Sequence, residues 1–200
     1  NYIKVFNCSL TENNVEEKML EGCAIPHPSA MINKRLFNHL QYRDTYKCAE
    51  DYDLWMRALK QGFKIRKLEQ VLLKYRVHTA SKSYNEKKNM HQFFDIVNIK
   101  LDYIEGKYIS QKVKVLIWGA SNAGLIVNHV LKARDYYEIV GFIDKYKSGV
   151  IEGLDIYKPD QLEDLDFDYI FIASNPGKEE IIGFLKAKGM NLGENFFYIL

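Results

Sequence analysis

Short apolar runs alternate with segments of helical spacing along the second half of the chain. Nearly continuous apolar runs, typical of buried strands, lie at residues 113–119 and 168–174, and further strands are predicted at residues 137–144 and 195–200. Helical spacing or a preceding proline predicts helices at residues 123–134, 160–165 and 177–189. Strands that alternate with helices are typical of crossover units and a parallel sheet. We therefore predict an α/β fold with a small parallel-sheet domain over residues 113–200.

The first half has a more mixed pattern. Residues 51–61 place apolar side chains on one face of a predicted helix. Residues 20–37 indicate a short strand interrupted by two prolines and then a turn, and residues 63–78 indicate two short strands. From Val71 to His78 the alternation is strict, with apolar residues on one face and mostly basic or titratable residues on the other. A polar face of this kind is expected beside an anionic ligand.

A connecting helix is predicted between the two halves. Residues 85–112 carry apolar residues at helical spacing, with charged ends and with Gly106 at the expected helix end. The chain is therefore predicted to have three segments, at residues 1–84, 85–112 and 113–200.

The composition is ordinary for a globular protein, with 47% hydrophobic and 27% charged residues. The net charge of +2 argues neither for nor against nucleic acid, and we expect no nucleic-acid partner. The three cysteines form no C-x-x-C pair, so we expect reduced thiols in a cytoplasmic protein. No apolar run approaches the roughly 20 residues that cross a bilayer. Peripheral membrane association and the oligomeric state stay open. Because the chain begins at Asn1 rather than Met, we expect a piece of a longer protein.

Acidic residues are concentrated at the start of the predicted helix 51–61. Glu50 and Asp51 are adjacent, and Asp53 follows. One interpretation is structural: Asp51 accepts from the free amides of the first helical turn, and Asp53 lies at the positive end of the helix dipole. The other is that the adjacent carboxylates form a catalytic pair. The D-x-D string occurs elsewhere in the chain, so it decides nothing by itself.

A wider set of motifs surrounds this helix. The strings "HPS", "EDYDLWMR", "QGFK" and "YRVHTAS" follow one another within residues 20–83. This ensemble resembles the C-terminal half of family 2 glycosyltransferases, which are inverting enzymes with the GT-A fold. The resemblance implies a partial GT-A-like region. It also implies transfer of a sugar from a nucleotide-sugar donor to a saccharide or lipid-linked acceptor in bacterial cell-surface polysaccharide synthesis.

The resemblance implies roles for single residues. The acid pair at the helix start supplies the general base, so Asp51 is the expected base and Glu50 its neighbour. Arg76 and His78 are expected to bind the diphosphate leaving group, with His78 also a candidate metal ligand. His27 borders the acceptor side, and a complete enzyme is expected to need Mg²⁺ or Mn²⁺. Without the resemblance, a surface ion pair explains Arg76, and packing or capping explains the histidines.

The resemblance stops short of a complete enzyme. The family's N-terminal half, with its nucleotide-binding strand and metal-binding D-x-D, has no counterpart in these 200 residues. We therefore expect the acceptor side and the base to be present and the donor site to lie outside this sequence. The 200 residues alone are not expected to catalyse transfer.

A glycine turn follows the first strand of the second half. In "VLIWGASNAG", Gly119, Ser121 and Gly124 occupy the places of a G-x-G-x-x-G dinucleotide fingerprint, with serine in the middle. Ser121 could crowd a pyrophosphate, but the helix start near Asn122 remains an anion site. Asp144 follows at the end of the second strand, where an acid would hold ribose hydroxyls. A Rossmann-like module without a nucleotide is the alternative.

The body of this half, "YEIVGFIDKYKSGVIEGLDIYKPDQLEDLDFDYIFIAS", resembles a bacterial module known from sugar-modifying acetyltransferases and nucleotide-sugar dehydratases. That resemblance implies binding of a nucleotide sugar or of a dinucleotide such as NAD. The favoured function is a glycosyltransferase with a nucleotide-binding C-terminal module. An oxidoreductase or epimerase whose chemistry lies in residues 113–200 and a non-catalytic binding remnant are the alternatives.

Overall fold

The computed structural model describes residues 8–74, 76 and 90–200 of the chain. It divides into two compact units, Asn1–Tyr103 and Ile104–Leu200. The division falls within the segment predicted as a connecting helix, and the three predicted segments remain a prediction. Each unit is described by itself below.

Helices and irregular segments make up the described part of the N-terminal unit. The α-helices are α1 (Val15–Glu21), α2 (Glu50–Lys60) and α3 (His91–Ile104), and short 3₁₀ helices lie at His27–Ser29 and Lys34–Asn38. The helix predicted over residues 51–61 is confirmed as α2, and the helix predicted within residues 85–112 is confirmed as α3. Acidic residues in the first turn of α2 and basic residues in its last turn suit the helix dipole.

Tyr52 anchors α2 in the N-terminal core. Its ring is buried, and its hydroxyl donates a hydrogen bond to the carbonyl oxygen of Met19, at 2.5 Å. The hydroxyl of Tyr46 donates in the same way to the Asp102 carboxylate on α3, at 2.7 Å. Apolar residues of the three helices are buried; they include Met19, Leu20, Leu54, Met56, Ala58, Val97 and Leu101.

The strands predicted in the first half are wrong for the residues that the structure describes. Residues 63–74 and 76 form no strand. Val71 is 88% exposed and Leu72 is 75% exposed, so neither face of this segment is buried and alternation alone does not produce a strand. Residues 20–37 also form no strand. Pro28 has no backbone N–H to donate to a neighbouring strand, and it lies instead in the first turn of a 3₁₀ helix, where no donor is needed at that position. His78 lies outside the described residues.

One mixed sheet forms the C-terminal unit, which the structure describes throughout. Its strands are β1 (Val113–Trp118), β2 (Tyr137–Ile143), β3 (Gly149–Ile151), β4 (Leu154–Tyr157), β5 (Tyr169–Ile172) and β6 (Phe196–Tyr198). They lie in the order β3-β4-β2-β1-β5-β6. Strand β1 is parallel to both β2 and β5, and all of its residues except Lys114 are buried. The predicted α/β fold is therefore confirmed, as is the parallel pairing of the strands within residues 113–119 and 168–174.

Helices α4 (Asn122–Lys132) and α5 (Lys178–Ala187) and a 3₁₀ helix at Pro159–Asp164 confirm the three predicted helices. The hairpin of β3 and β4 was missed. Its tight turn consists of Glu152 and Gly153, which both have positive φ, at 53° and 78°. Glutamate is an uncommon residue at such a φ, so the usual Asn-Gly or Asp-Gly hairpin signal is absent.

A close backbone approach joins α4 to the turn after β1. A β-carbon at position 124 would lie 1.8 Å from the carbonyl oxygen of Gly119 and 3.3 Å from the ring of Phe142. No side chain fits in that space, so glycine at 124 allows the first turn of α4 to lie directly against the strand end. This contact fixes the geometry of the glycine turn described below.

We predict that Gly124→Ala destabilises the chain by at least about 2 kcal/mol, because backbone must move to admit the methyl group. Gly183 in α5 is the matched control, since a β-carbon there would meet nothing within 4 Å. Gly183→Ala should stabilise the chain by about 0.5–1 kcal/mol, as expected for a helix interior. Urea unfolding of both variants measures the difference. Equal stabilities would contradict the packing role of Gly124.

Candidate functional site

The glycine turn lies where β1 ends and α4 begins. The amide of Gly119 donates to the carbonyl oxygen of Ile143 on β2, at 2.8 Å, and Gly119 has a φ of 119°. A β-carbon at position 119 would lie 2.7 Å from the carbonyl oxygen of Ala173, which follows β5. Both predicted glycines are therefore required by the backbone of this turn.

Ser121 and Asn122 are the exposed side chains of the turn. Ser121 has extended backbone and precedes α4, but its hydroxyl does not cap the helix. Both side chains therefore lie at the start of a helix, where amides and the dipole favour an anion.

The turn lies at the switch point of the sheet. From β1, the chain builds β2 on one side and later β5 on the other side, so the connections diverge at the carboxyl ends of β1 and β5. Open parallel sheets bind ligands in the crevice at this place. Residues 174–177 lead from β5 into α5 at the same edge, and Gly177 has a φ of 88°. Sequence reasoning missed this second loop, although the Pro176-Gly177 pair after an apolar run is a turn signal.

Asp144 braces the glycine turn from the end of β2. One carboxylate oxygen accepts from the amide of Ala120 at 3.0 Å, and the other accepts from the amides of Tyr146 and Lys147, both at 2.9 Å. Burial alone would raise the pKa of Asp144, but these amides outweigh it and hold the pKa below its ordinary value. The Lys147 ammonium adds to this effect and donates to the carbonyl oxygen of Ala120 at 2.6 Å. The ribose role of Asp144 remains a prediction.

The acidic start of α2 differs from a simple cap. The N-cap residue is Ala49, no side chain caps the helix, and α2 begins at Glu50. Asp51 therefore lies inside the first turn, where one carboxylate oxygen accepts from the amide of Tyr52 at 2.8 Å. Asp51 thus accepts from an amide of the first helical turn, as the structural interpretation predicts, but it does so from inside the helix, because Ala49 is the N-cap residue.

Asp53 has a structural role in the same turn. It is 2% exposed, and its carboxylate accepts from the Arg57 guanidinium, with a distance of 2.6 Å between Nη2 and Oδ2. Arg57 also donates to the carbonyl oxygen of Gln41 at 2.8 Å. This pair holds the helix against the preceding loop and gives Asp53 a structural role.

Burial raises the pKa of the Asp51 carboxyl above its ordinary range. The amide of Tyr52 and the positive charge of a protonated His27 oppose that rise, while the charge of Glu50 supports it. A raised pKa makes a carboxylate a better proton acceptor at neutral pH. Cys23 lies near the same charge, and burial first, then Asp51, raises the pKa of its thiol to about 12. That thiol is therefore a poor nucleophile.

His27 lies within electrostatic reach of Asp51 and in a group with aromatic side chains. Its Nε2 is 2.8 Å from the hydroxyl oxygen of Tyr42, and its ring contacts the ring of Trp55 edge to face, with centroids 6.2 Å apart. The structure therefore brings together the predicted base and the predicted acceptor-side histidine. Sequence reasoning missed Tyr42, which no motif marked.

Of the two residues predicted to bind the leaving group, Arg76 and His78, the structure describes Arg76. Arg76 is exposed, and within the described residues no hydrogen bond or ion pair joins it to Asp51. His78, the predicted metal and substrate ligand, lies outside the described residues. In the part of the chain that the structure describes, no three His, Cys, Asp or Glu side chains form a group that could hold a metal ion.

Comparison with known proteins gives two sequence similarities. Residues 111–193 match the model of the C2185-like N-terminal family. The chain is also 25% identical, over 87 residues, to an uncharacterized glycosyltransferase of Methanocaldococcus jannaschii. That match covers 44% of this chain and 30% of the relative, so the chain spans under a third of that protein. The chain is thus similar to a protein named as a glycosyltransferase.

Solved structures that are similar to this chain include two proteins of different kinds. UDP-D-quinovosamine 4-dehydrogenase from Vibrio fischeri is 30% identical, with 39% of this chain and 72% of that chain covered and a TM-score of 0.35. RSP, a Rex-family repressor, is 12% identical, with 80% and 78% covered and a TM-score of 0.36. Both TM-scores are too low to support an argument from shape. Among the described residues, no helix is both long and apolar enough to cross a membrane.

We predict that Asp144→Ala destabilises the chain by about 1–3 kcal/mol at neutral pH, because three backbone amides lose their acceptor. A lowered folded-state pKa means that this stabilisation is present above the unfolded pKa of about 3.9 and is lost as the pH falls through the folded pKa. The difference between the two proteins should therefore shrink in acid. Thermal unfolding across pH measures it. Asp135→Ala, at an exposed acid, is the control and should change little. A difference in stability that does not change with pH would show that the charge of Asp144 does not stabilise the turn.

Proposed function

We propose that this chain is part of a glycosyltransferase that uses a nucleotide-sugar donor, with Asp51 as the general base. The observation that carries this proposal is the Asp51 carboxyl in the first turn of α2. This carboxyl is half-buried, and burial raises its pKa. The 25% identity to an uncharacterized glycosyltransferase supports the enzyme class. Family 2 membership and a GT-A fold in the complete protein are part of the proposal.

The chemistry needs a proton acceptor beside the acceptor hydroxyl. As the hydroxyl oxygen attacks the anomeric carbon, the bond from that carbon to the diphosphate breaks and the hydroxyl proton passes to Asp51. The Tyr52 amide orients one oxygen of Asp51 through its hydrogen bond. The charge of Glu50 raises the pKa of Asp51 and so strengthens the base without taking the proton itself.

Arg76 and His78 are proposed to bind the diphosphate as its negative charge grows. A divalent metal, Mg²⁺ or Mn²⁺, is part of the proposal for the complete enzyme, and the described residues contain no group of side chains that could hold it. The donor nucleotide is proposed to bind mainly to an upstream half of the longer protein. The acceptor is proposed to be a saccharide or a lipid-linked sugar.

A second function is proposed for the C-terminal unit: binding of a nucleotide sugar or NAD at the glycine turn. The switch-point crevice, the backbone approach at Gly119 and Gly124, and the exposed helix start support it. The residues fit the phosphates of such a ligand better than its ribose, since the Asp144 oxygens already accept from three amides. The oxidoreductase and the non-catalytic interpretations are outcomes that the binding experiment below separates.

We predict that Asp51→Asn abolishes transfer in a longer protein that carries the upstream half. Asparagine keeps the shape of the side chain but cannot accept the proton. Because burial disfavours the charge of Asp51, this variant should not lower the melting temperature by more than a few degrees. Glu50→Gln should reduce the rate less and should shift the acidic limb of the rate profile to lower pH. Transfer of a labelled sugar and thermal unfolding measure both effects.

The outcomes of this experiment are distinct. The rate of the unmodified enzyme should fall as the pH drops through the Asp51 pKa, which lies above the ordinary value of about 3.9. Near-normal turnover of Asp51→Asn, or a loss of stability as its sole effect, would show that these acids merely start a helix.

We predict that the chain binds UDP-sugars, NAD or NADP at the glycine turn with at most millimolar dissociation constants. Ser121→Glu should weaken binding at least about tenfold, because its charge repels phosphate at the helix start. Ser110→Glu is the matched control at an exposed serine before β1, at the opposite edge of the sheet. Calorimetry measures both. Binding of NAD alone would favour the oxidoreductase alternative, and no binding of any ligand would remove this second function.

A further inference from the structure

We propose that His27, Tyr42 and Trp55 form a binding subsite for the sugar ring of the acceptor beside Asp51. The inference rests on the proposed function, because it takes Asp51 as the base that receives the acceptor proton. It adds two residues, Tyr42 and Trp55, and names a pyranose as the chemical class of the ligand. Trp55 is assigned as a positioning residue that donates a hydrogen bond to a sugar oxygen.

The indole nitrogen of Trp55 carries the inference. Trp55 is 5% exposed, and its Nε1 donor is buried without a hydrogen-bond partner in the part of the chain that the structure describes. Buried donors nearly always have a partner, so such an atom calls for an explanation. Trp55 follows Asp51 by one helical turn, and residues at this spacing share a helix face. A ligand oxygen that reaches Asp51 therefore lies on the side of α2 that also carries the indole.

Exposed rings of Tyr42 and His27 form the second part of the proposed subsite. The ring of Tyr42 lies 5.6 Å from that of His27 and 6.2 Å from that of Phe37, measured between centroids. Tyr42 is 41% exposed and His27 is also exposed, so both rings are accessible to a ligand. A pyranose has an apolar face of C–H groups and a rim of hydroxyls. Aromatic faces with a few polar atoms at their edge match both parts.

The hydrogen bond between His27 and Tyr42 supplies polar atoms at that edge. With neutral His27 accepting at Nε2, the Tyr42 hydroxyl donates to it and its oxygen can accept from a sugar hydroxyl. With His27 protonated, the ring donates and the Tyr42 hydroxyl is turned toward the ligand. Burial first, and then the charges of Asp51 and Glu50, raise the pKa of Tyr42, so the phenol stays protonated. The same effect shows that Tyr42 lies within electrostatic reach of the proposed base.

The chain has two tryptophans, Trp55 and Trp118, which makes the subsite directly observable. In a ¹⁵N-labelled chain each indole gives one N–H signal, and Trp118→Phe assigns them. Glucose, galactose, N-acetylglucosamine and N-acetylgalactosamine are added separately to tens of millimolar. At least one sugar should shift the Trp55 signal saturably while the Trp118 signal stays in place. A Trp55 signal that responds to none of them would overturn the proposal.

Matched variants test whether the aromatic group is responsible. Tyr42→Ala should weaken the apparent affinity at least about tenfold. Tyr146→Ala removes another exposed tyrosine, 83% exposed in the C-terminal unit, and should leave the affinity unchanged. An equal response of Trp55 in the unmodified chain and in Tyr42→Ala would also overturn the proposal.

A third variant separates this inference from the proposed function. Asp51→Asn should keep sugar binding while it abolishes transfer in the longer protein. If Trp55 responds to sugar but Asp51→Asn still transfers it, the subsite stands and the base assignment fails. If Asp51→Asn is inactive but no sugar moves the Trp55 signal, the base stands and the subsite fails.

Discussion

The close approach of α4 to the end of β1 is the constraint on which the C-terminal unit depends. Only a residue without a β-carbon fits at position 124, because a β-carbon there would lie 1.8 Å from the Gly119 carbonyl oxygen. The turn also lies close to the end of β5, because a β-carbon at position 119 would be 2.7 Å from the carbonyl oxygen of Ala173. The shape of the crevice is therefore determined by backbone, and the exposed side chains of Ser121 and Asn122 are left to adjust what binds there.

Two aspartates show how local surroundings assign different roles to one residue type. Asp144 accepts from three backbone amides and its pKa is lowered, so its charge stabilises the fold above its unfolded pKa. Asp51 is half-buried, its carboxylate accepts from the amide of Tyr52, and burial raises its pKa above the ordinary value. Ionisation of Asp51 therefore destabilises the folded chain. The stability that the protonated carboxyl contributes is present below the unfolded pKa and is lost as the pH rises through the folded pKa. The first arrangement suits a brace, and the second suits a group that exchanges a proton.

The sequence predicted the C-terminal fold well because β1, β5 and β6 are mostly buried strands with nearly continuous apolar runs, and β2 is buried over its last three residues. It missed the hairpin of β3 and β4, because its turn uses Glu152 at positive φ, and it predicted strands near Val71 and Leu72, which are exposed. Alternation of apolar and polar residues specifies a strand only where a partner buries one face. The pair Glu50-Asp51 and His27 could be marked by motif resemblance. Tyr42 could not, since only the fold brings it from a separate loop to His27.

Asp51 is proposed to accept a proton and not merely to form part of an ordinary helix start. Its pKa can be measured directly by following the side-chain carboxyl carbon in ¹³C NMR across pH, with Asp51→Asn to assign the signal. We predict a pKa above the ordinary value of about 3.9. We also predict a further rise in His27→Gln, because the opposing positive charge is removed. A pKa at or below the ordinary value, with no response to His27→Gln, would contradict the proposal.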